Sequence, residues 1–300
     1  MPNLKKALII GSKGQLGRSF HSLLSNASSH QFYFADRSTF DLSNKQSISD
    51  YFKQNRFDLI INCAAYTAVD LAEEQQELAY AINHLAAKQL AEIARESDTI
   101  LIQISTDYVF DGKNCQPYSE NHQTHAQSVY GASKLQGELA IQQIAPKAII
   151  IRTSWLYSEF GQNFVKTMLK LGQEREQLNV IFDQVGSPTY AGDLAKTILT
   201  IIDSPALNKT LFQKDKVHLY HYSNEGVCSW YDFAKAIFEL SHTACQLKPI
   251  ETKDYPTAAT RPHFSVLNKA KIKQTYGLDV PYWKDSLRIC LNQLQEVSGK

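Results

Sequence analysis

The sequence predicts an α/β fold with a doubly wound parallel sheet. A smaller α/β lobe is predicted in the C-terminal part of the chain. Short apolar runs alternate with longer helical patterns from residue 6 to residue 152, and this alternation is typical of a parallel sheet with helices on both faces. A glycine-rich turn follows the first apolar run, and hydroxyl-bearing residues follow the fourth. We therefore expect a ligand crevice at the carboxyl ends of the strands.

Five strands are predicted in the first half of the chain, at Lys6–Ile10, Gln31–Ala35, Asp58–Asn62, Thr99–Ile104 and Lys147–Arg152. One long helical stretch is expected from about Leu71 to Arg95. After Trp155 the alternation loosens, and prolines interrupt the tail. We predict a sheet domain over residues 1–155 and a second lobe over residues 156–300 that is interleaved with the last elements of the sheet.

The composition excludes several classes of function. The 300 residues include 31 basic and 30 acidic side chains, with a formal net charge of +1, so no overall field favours nucleic acid or an anionic membrane. The longest N-terminal apolar run, Ala7–Ile10, is too short for a signal peptide or a membrane span, and we expect a cytoplasmic protein. Five scattered cysteines without a CxxC pair argue against a disulfide framework and against a metal site.

The glycine-rich turn lies between the first strand and a helical pattern. Gly11, Gly14 and Gly17 are three of only 13 glycines in the chain. A helix N-terminus with bare backbone amides at this position can receive a phosphate. The spacing is GxxGxxG and no Gly-Lys-Ser/Thr follows, which excludes a Walker-type site. A tight turn that binds no ligand is the alternative interpretation.

Polar residues after the second and third strands extend this prediction to a dinucleotide. Asp36 lies about 20 positions past the glycines, where a carboxylate can bind a ribose hydroxyl, and the adjacent Arg37 can accept a 2′-phosphate, so NADH and NADPH both stay open. Asp41-Leu42 can lie against the adenine, although Asp41 is equally able to cap the next helix. The small residues that follow the third strand permit close approach of a cofactor to the backbone.

Tyr130 and Lys134 are the candidate catalytic pair. Their spacing places both side chains on one helical face, one turn apart. A neighbouring ammonium is expected to lower the pKa of the phenol, as a general acid near a substrate oxygen requires. An ordinary amphipathic helix would show the same spacing. Thr106 is expected to face the crevice at the end of the fourth strand, or else to cap local backbone.

The ordered set of motifs resembles the extended short-chain dehydrogenase/reductase family and, within it, the dTDP-4-dehydrorhamnose reductases. The motifs that carry the resemblance are Gly11-x-x-Gly14-x-x-Gly17, Ala65–Asp70, Ser105–Phe110, Tyr130-x-x-x-Lys134, Arg152–Trp155, Asn163–Met168, Gln184–Thr189 and Arg261-Pro262. The similarity runs over nearly the whole chain. It implies a Rossmann-type domain that binds NADH or NADPH, and reduction of the C4 keto group of dTDP-4-dehydro-β-L-rhamnose.

The resemblance also implies roles for individual residues. Tyr130 would donate a proton to the C4 oxygen, Lys134 would lower the pKa of Tyr130 and hold the nicotinamide ribose, and Thr106 would hydrogen-bond the reacting oxygen. The implied substrate-binding residues are Val69, Thr106, Asp107, Trp155, Asn163 and Arg261. The implied cofactor-binding residues are Gly11, Gly14, Gln15, Leu16, Gly17, Asp36, Arg37, Asp41, Leu42, Ala65, Tyr66, Thr67, Tyr130 and Lys134.

One departure from the family concerns the assembly. Some relatives form dimers bridged by a metal between carboxylates, and the matching positions here are Ser19 and Gly192. We therefore expect a monomer or a weak homodimer without a bridging metal. Two alternatives to the reductase remain open: a sugar-nucleotide epimerase or dehydratase of the same superfamily, and a non-catalytic regulatory subunit that binds NAD(P).

Overall fold

The computed structural model of this protein describes residues 5–24, 30–144, 146–207 and 217–298. The strands, in chain order, are β1 (Lys5–Ile10), β2 (His30–Ala35), β3 (Leu59–Asn62), β4 (Ile100–Thr106), β5 (Ala148–Thr153), β6 (Leu156–Tyr157), β7 (Gln177–Ile181), β8 (Val185–Gly186), β9 (Thr189–Tyr190), β10 (Val217–His221), β11 (Cys228–Ser229) and β12 (Gln246–Ile250). The helices are α1 (Gln15–Leu23), α2 (Lys45–Gln54), α3 (Val69–Glu74), α4 (Gln76–Tyr80), α5 (Ala86–Glu96), α6 (Val129–Ile144), α7 (Phe164–Glu174), α8 (Ala191–Asp203), α9 (Trp230–Ser241), α10 (Ala270–Tyr276) and α11 (Trp283–Ser298).

A six-stranded parallel sheet in the order β10-β5-β4-β3-β1-β2 forms the centre of the molecule. Because its strands are covered on both faces, they are continuous apolar runs instead of alternating ones, and every residue of β3 and β5 is buried. Leu8 packs on one face with Ile48 and Leu90, whereas Ile9 packs on the other with Phe20. The predicted doubly wound α/β fold is confirmed.

The strand register brings the predicted ligand segments to one edge of the sheet. Ile10 is paired with Ala35 of β2 and with Asn62 of β3. The glycine turn, the Asp36 segment and the segment after β3 therefore leave the sheet side by side. β4 extends past β3, and its last residue, Thr106, is paired with Thr153 of β5. The crevice thus opens at the carboxyl ends of the strands.

Elements from the second half of the chain also belong to the sheet region. β10 pairs in parallel with β5 at the sheet edge, and α8 packs on the sheet through buried residues such as Leu194 and Ile198. A separate apolar cluster joins α7, α9 and α11 around Val165, Phe233 and Leu287. The chain therefore alternates between the sheet and the second lobe after Trp155.

The helical pattern between β3 and β4 is present, but the expectation of one continuous helix from Leu71 to Arg95 is wrong. The helix breaks at Gln75, whose backbone has φ −105° and ψ 49°, and the five residues Ala81–Leu85 form a π-helical turn. Inside that turn, the Asn83 side chain accepts a hydrogen bond from the Tyr66 backbone amide and donates one to its carbonyl. Hydrophobic periodicity does not reveal such a local change of helix geometry.

Candidate active site

Thr106, Tyr130 and Lys134 come together at the carboxyl end of β4. Thr106 is the last residue of the strand, and α6 carries the other two. The helix can approach because Gly131 has no side chain: a Cβ atom there would lie 2.2 Å from the Tyr108 carbonyl oxygen. The rings of Tyr108 and Tyr130 meet edge to face, with centroids 5.5 Å apart. The structure therefore brings the three predicted catalytic residues together at a single site.

Lys134 is buried, and its ammonium is held by the sheet edge. The Nζ atom donates a hydrogen bond to the Ile104 carbonyl oxygen at 2.6 Å. Loss of hydration lowers the pKa of Lys134 to about 8, against the opposing effect of the Glu138 carboxylate. The ammonium is thus fixed in position and still charged at neutral pH.

The prediction that the pKa of Tyr130 is lowered is wrong. Burial raises the pKa of its phenol to about 12, although the Thr106 hydroxyl acts in the opposite direction. The four-residue spacing places Lys134 on the same side of the helix, but its ammonium is directed to the Ile104 carbonyl, and burial is the largest cause of the raised pKa. A phenol of raised pKa is fully protonated at neutral pH, so Tyr130 is poised as a proton donor.

Asp107 adds a carboxyl group to the same site. Its side chain is only 2% exposed, and its Oδ1 atom accepts a hydrogen bond from the Thr106 hydroxyl at 3.0 Å. The Ser265 hydroxyl is a second side-chain partner of this carboxyl group. Burial raises the pKa of Asp107 to about 7, against the opposing effects of Thr106 and Ser265. Asp107 therefore places a buried carboxyl group beside Thr106 at the crevice.

The glycine turn has the geometry of a phosphate cradle. Gly11 has φ +84°, and a Cβ atom there would lie 2.8 Å from the Ala64 backbone nitrogen. A Cβ atom on Gly17 would lie 2.3 Å from the Gly11 carbonyl oxygen. Gly14 caps α1 without a side-chain hydrogen bond, and the first turn contains no acidic residue. The backbone amides of Gln15 and Leu16 belong to the first turn of the helix, where amides have no intrahelical acceptor. They are therefore available to donate hydrogen bonds to a pyrophosphate group.

Four charged side chains surround the position predicted for the adenosine ribose. Lys13 Nζ lies 2.6 Å from Asp36 Oδ2, and Arg37 Nη2 lies 3.2 Å from Asp41 Oδ2. Hydrogen bonds from Lys13 and Ser38 lower the pKa of the Asp36 carboxyl below its usual range. Lys13 is a residue of this group that was not predicted from the sequence. Its basic side chain inside the glycine turn was the available signal.

The remaining predicted cofactor residues lie along the same edge. Leu42 packs against the sheet cluster that contains Leu8 and Ile60. Ala65 and Tyr66 are half-buried, and Thr67 is exposed. The Tyr66 backbone is fixed by its two hydrogen bonds to the Asn83 side chain. A dinucleotide bound over the glycine turn would thus lie between the backbone of that turn and the backbone of the segment after β3.

Aromatic side chains form the wall between the catalytic edge and the second lobe. Trp155 directly follows β5 and has φ +48°, a strained value for a large side chain. Its ring stacks on Trp230, with centroids 3.6 Å apart and an interplanar angle of 9°. Gly186 makes room for this ring, because a Cβ atom there would lie 2.8 Å from Trp155 Cε2. Trp230 was missed, because a tryptophan at a helix start carries no sequence signal of its own.

A cavity of about 580 Å³ lies next to this wall in the second lobe. Its lining includes Trp230, Phe164 and Arg261. The predicted substrate residue Arg261 is held by Asp70, with 2.6 Å between Nη2 and Oδ2. Val69, the first residue of α3, is half-buried beside this ion pair.

The Asn163 side chain, which was predicted to bind substrate, is directed toward Gln15 in the glycine turn. Its side-chain amide donates a hydrogen bond to the Gln15 Oε1 atom at 2.9 Å. Its Oδ1 atom caps α7 by accepting from the Lys166 backbone amide. The structure therefore places Asn163 between the glycine turn and the helix that lines the cavity.

The positions matching the bridging metal of some relatives are Ser19 and Gly192, and Asp193 is the adjacent carboxylate. Asp193 Oδ2 accepts hydrogen bonds from the side chains of Asn224 and Ser286. Over the described ranges, no group of three or more His, Cys, Asp and Glu side chains is arranged to hold a metal ion. Within the same ranges, no helix has the length and apolar character needed to cross a bilayer.

Together, the parallel sheet, the bare glycine turn and the Thr-Tyr-Lys group define a nicotinamide-dependent oxidoreductase of the extended short-chain dehydrogenase/reductase class. Comparison with known proteins identifies the family. Residues 5–296 match the family model described as RmlD substrate binding domain. The chain belongs to this family, and the predicted resemblance is confirmed.

Individual relatives match along nearly their whole length. The chain is 41% identical over 294 residues to a dTDP-4-dehydrorhamnose reductase of Aggregatibacter actinomycetemcomitans, covering 95% of this chain and 98% of the relative. A crystal structure of the Clostridium acetobutylicum dTDP-4-dehydrorhamnose reductase is 39% identical, with a TM-score of 0.89 and coverage of 97% and 99%. The Bacillus anthracis enzyme, solved in complex with NADP, is 37% identical, with a TM-score of 0.87 and the same coverage.

Proposed function

We propose that this protein reduces the C4 keto group of dTDP-4-dehydro-β-L-rhamnose to a hydroxyl with NADH or NADPH, giving dTDP-β-L-rhamnose. The observation that carries the proposal is the placement of a protonated phenol, a threonine hydroxyl and a fixed ammonium at one strand end, along the edge that also carries the phosphate cradle. Full-length relatives with this enzyme name support the choice of substrate.

The nicotinamide cofactor, when bound, supplies the hydride. The backbone amides of Gln15 and Leu16 would bind its pyrophosphate at the start of α1. Lys134, whose ammonium is held by the Ile104 carbonyl, would hold the nicotinamide ribose. These residues would position the cofactor next to the substrate.

Tyr130 and Thr106 act on the substrate oxygen. In the complex, the Thr106 hydroxyl would turn from Asp107 Oδ1 to donate its hydrogen bond to the C4 oxygen. Tyr130 would give its proton to that oxygen as negative charge develops. The raised pKa of the phenol, about 12, is compatible with this role, because the alkoxide of a secondary alcohol is a stronger base than this phenolate. Asp107 contributes its buried carboxyl group to the binding of a sugar hydroxyl.

The second lobe binds the nucleotide. We assign the cavity beside Trp230 to the thymidine diphosphate, with Trp155 against the sugar and Arg261 near the phosphates. This assignment divides the chain into a cofactor-binding part over residues 1–155 and a mainly substrate-binding part over residues 156–300. A cytoplasmic monomer or weak homodimer without a bridging metal is the proposed state of the protein.

The test is the consumption of reduced nicotinamide by purified protein. dTDP-4-dehydrorhamnose generated in situ should cause NADH or NADPH oxidation, whereas a UDP-linked 4-keto sugar should cause little. Each oxidised cofactor should correspond to one molecule of dTDP-rhamnose. Tightly retained NAD with no net consumption would instead indicate an epimerase or dehydratase.

A further inference from the structure

We propose that Gln15 and Asn163 couple cofactor binding to nucleotide binding, so that each ligand tightens the other. This inference rests on the proposed function, because it takes the glycine turn as the cofactor cradle and the cavity as the nucleotide site. It assigns Asn163 a positioning role between the two sites. The coupling acts through side-chain hydrogen bonds and needs no contact between the two ligands.

The Gln15 side chain connects the glycine turn to the second lobe through three hydrogen bonds. Its Oε1 atom accepts hydrogen bonds from Ser158 Oγ at 3.0 Å and from Asn163 Nδ2 at 2.9 Å. Its Nε2 atom donates to the Leu156 carbonyl oxygen at 3.3 Å. The backbone amide of the same residue belongs to the first turn of α1. Gln15 therefore contacts the cofactor cradle with its backbone and the second lobe with its side chain.

Further contacts hold the loop between β6 and α7 against α1. The guanidinium of Arg18 lies over the Phe160 ring, 4.4 Å from its centroid. Gly161 has φ +62°, and a Cβ atom there would lie 3.3 Å from the Gln15 Cγ atom. Ser158 is fully buried. Movement of the α1 N-terminus is thus transmitted to this loop through packed and hydrogen-bonded groups.

Asn163 links Gln15 to the helix α7, which lines the cavity. While its amide nitrogen donates to Gln15, its Oδ1 atom caps α7 through the Lys166 backbone amide. The next residues of α7 that line the cavity include Phe164, Thr167 and Met168. One side chain therefore fixes both the cradle and the helix start at the cavity wall.

The thermodynamic consequence is positive cooperativity. A pyrophosphate bound at the first turn of α1 immobilises Gln15, and this orders Asn163 and the start of α7 before the nucleotide arrives. The second ligand then loses less conformational entropy on binding. Linkage requires the same factor in both directions.

The experiment measures binding of dTDP by calorimetry with and without saturating NADP⁺, using the full chain. Because dTDP lacks the sugar, it cannot contact the nicotinamide, and direct ligand contact is thereby avoided. The parent protein should bind dTDP about 5- to 20-fold more tightly when NADP⁺ is present, within the usual range of allosteric coupling. NADP⁺ binding should tighten by an equal factor when dTDP is present.

Two variants isolate the connection. Asn163→Ser keeps a capping hydroxyl for α7 but is too short to reach Gln15, and Gln15→Met removes the side-chain hydrogen bonds of Gln15 with similar volume. Each should reduce the coupling factor to below about 2-fold, and the double variant should lose no more than either single one. Asn44→Ser, the same change at the N-cap of α2, should keep the parent factor.

The outcomes separate the two proposals. Equal coupling in the parent and both variants, or a parent in which both ligands bind without coupling, overturns this inference and leaves the proposed function in place. A parent protein that does not bind dTDP or NADP⁺ at all overturns the proposed function, and this inference with it. Near-ultraviolet circular dichroism of the stacked Trp155 and Trp230 pair verifies the fold of each variant.

Discussion

The molecule contains two groups of charged side chains near its ligand crevice, and they differ in their exposure to solvent. Glu138 and Arg152 form an ion pair behind Lys134, and their side chains are 1% and 3% exposed. At the end of β2, Lys13 and Arg37 are 78% and 81% exposed. Both groups contain short contacts between opposite charges. Only the first is removed from water.

The difference in solvation determines what each group can do. In the buried group, Ser105 donates a hydrogen bond to Glu138, and Arg152 lies over the Phe110 ring. Charges in such surroundings interact strongly and cannot be lost singly without a large penalty. The exposed pairs at the ribose end are screened by water and salt, and each contributes little. The catalytic edge is therefore rigid, whereas the ribose end is adjustable.

The largest expected effect is on catalysis at the rigid edge. Tyr130→Phe removes the proton donor and should lower kcat by about 10³-fold, within the usual range for general acid catalysis. NADPH binding should be largely retained, because the glycine turn and Lys134 are unchanged, and thermal stability should stay close to that of the parent. Steady-state rates with the dTDP-keto sugar, together with a cofactor titration, measure both effects. Turnover within a few-fold of the parent would remove Tyr130 from the mechanism.

The buried ion pair should give the largest change in stability. Glu138→Gln leaves the Arg152 guanidinium buried without its counter-charge and should lower the free energy of unfolding by about 3 to 5 kcal/mol. Urea unfolding measures the loss. The matched control is Glu239→Gln, which breaks the largely exposed ion pair with Lys284 and should cost less than about 1 kcal/mol. Similar losses in both variants would refute the contrast between buried and exposed charges.

The pH dependence of stability tests the protonation of Asp107. Burial raises the pKa of the Asp107 carboxyl from its usual value of 3.8 to about 7 in the folded protein, so the folded state binds the extra proton between these values. The stability due to that proton is complete below pH 3.8 and is lost as the pH rises through about 7. Asp107→Asn should remove this loss.

The measurement is urea unfolding of the parent and of Asp107→Asn at pH about 5 and about 8. The stability of the variant relative to the parent should increase by about 3 kcal/mol between the two conditions. An unchanged difference would show that the carboxyl is ionised throughout this range.

The smallest effects are expected at the adjustable end. Removing Lys13 and Arg37 together, as Lys13→Ala/Arg37→Ala, should weaken NADPH binding by less than about 10-fold and leave NADH binding almost unchanged, since only NADPH carries the 2′-phosphate. The effect should shrink further at high salt. Lys53→Ala, at an exposed pair on α2, provides the control. Identical losses for both cofactors would assign these cations to another part of the dinucleotide.

The sequence predicted the sheet and the catalytic edge because their signals are local. The apolar runs of β1 to β5 and the spacing of Tyr130 and Lys134 depend on residues close together in the chain. The direction of the Tyr130 pKa shift was missed because the shift depends on burial of the phenol, and because the Ile104 carbonyl holds the Lys134 ammonium. Long-range packing is not visible in the spacing of two residues.

Contacts between distant parts of the chain were also beyond prediction. Trp230 meets Trp155 across the second lobe, and Asn163 reaches Gln15 across 148 positions. The π-helical turn at Ala81–Leu85 is formed within a pattern that any regular helix would share. Each of these features is decided by packing between elements, whereas sequence patterns describe one element at a time.

The most direct test of the reductase assignment follows the hydride itself. Purified protein is given dTDP-4-dehydrorhamnose and NADPH that carries deuterium at the transferred position, and the product is analysed by nuclear magnetic resonance. We predict deuterium at C4 of dTDP-rhamnose, one atom for each NADPH oxidised. A product without deuterium at C4, or with deuterium at another carbon, would contradict reduction of the C4 ketone by this protein.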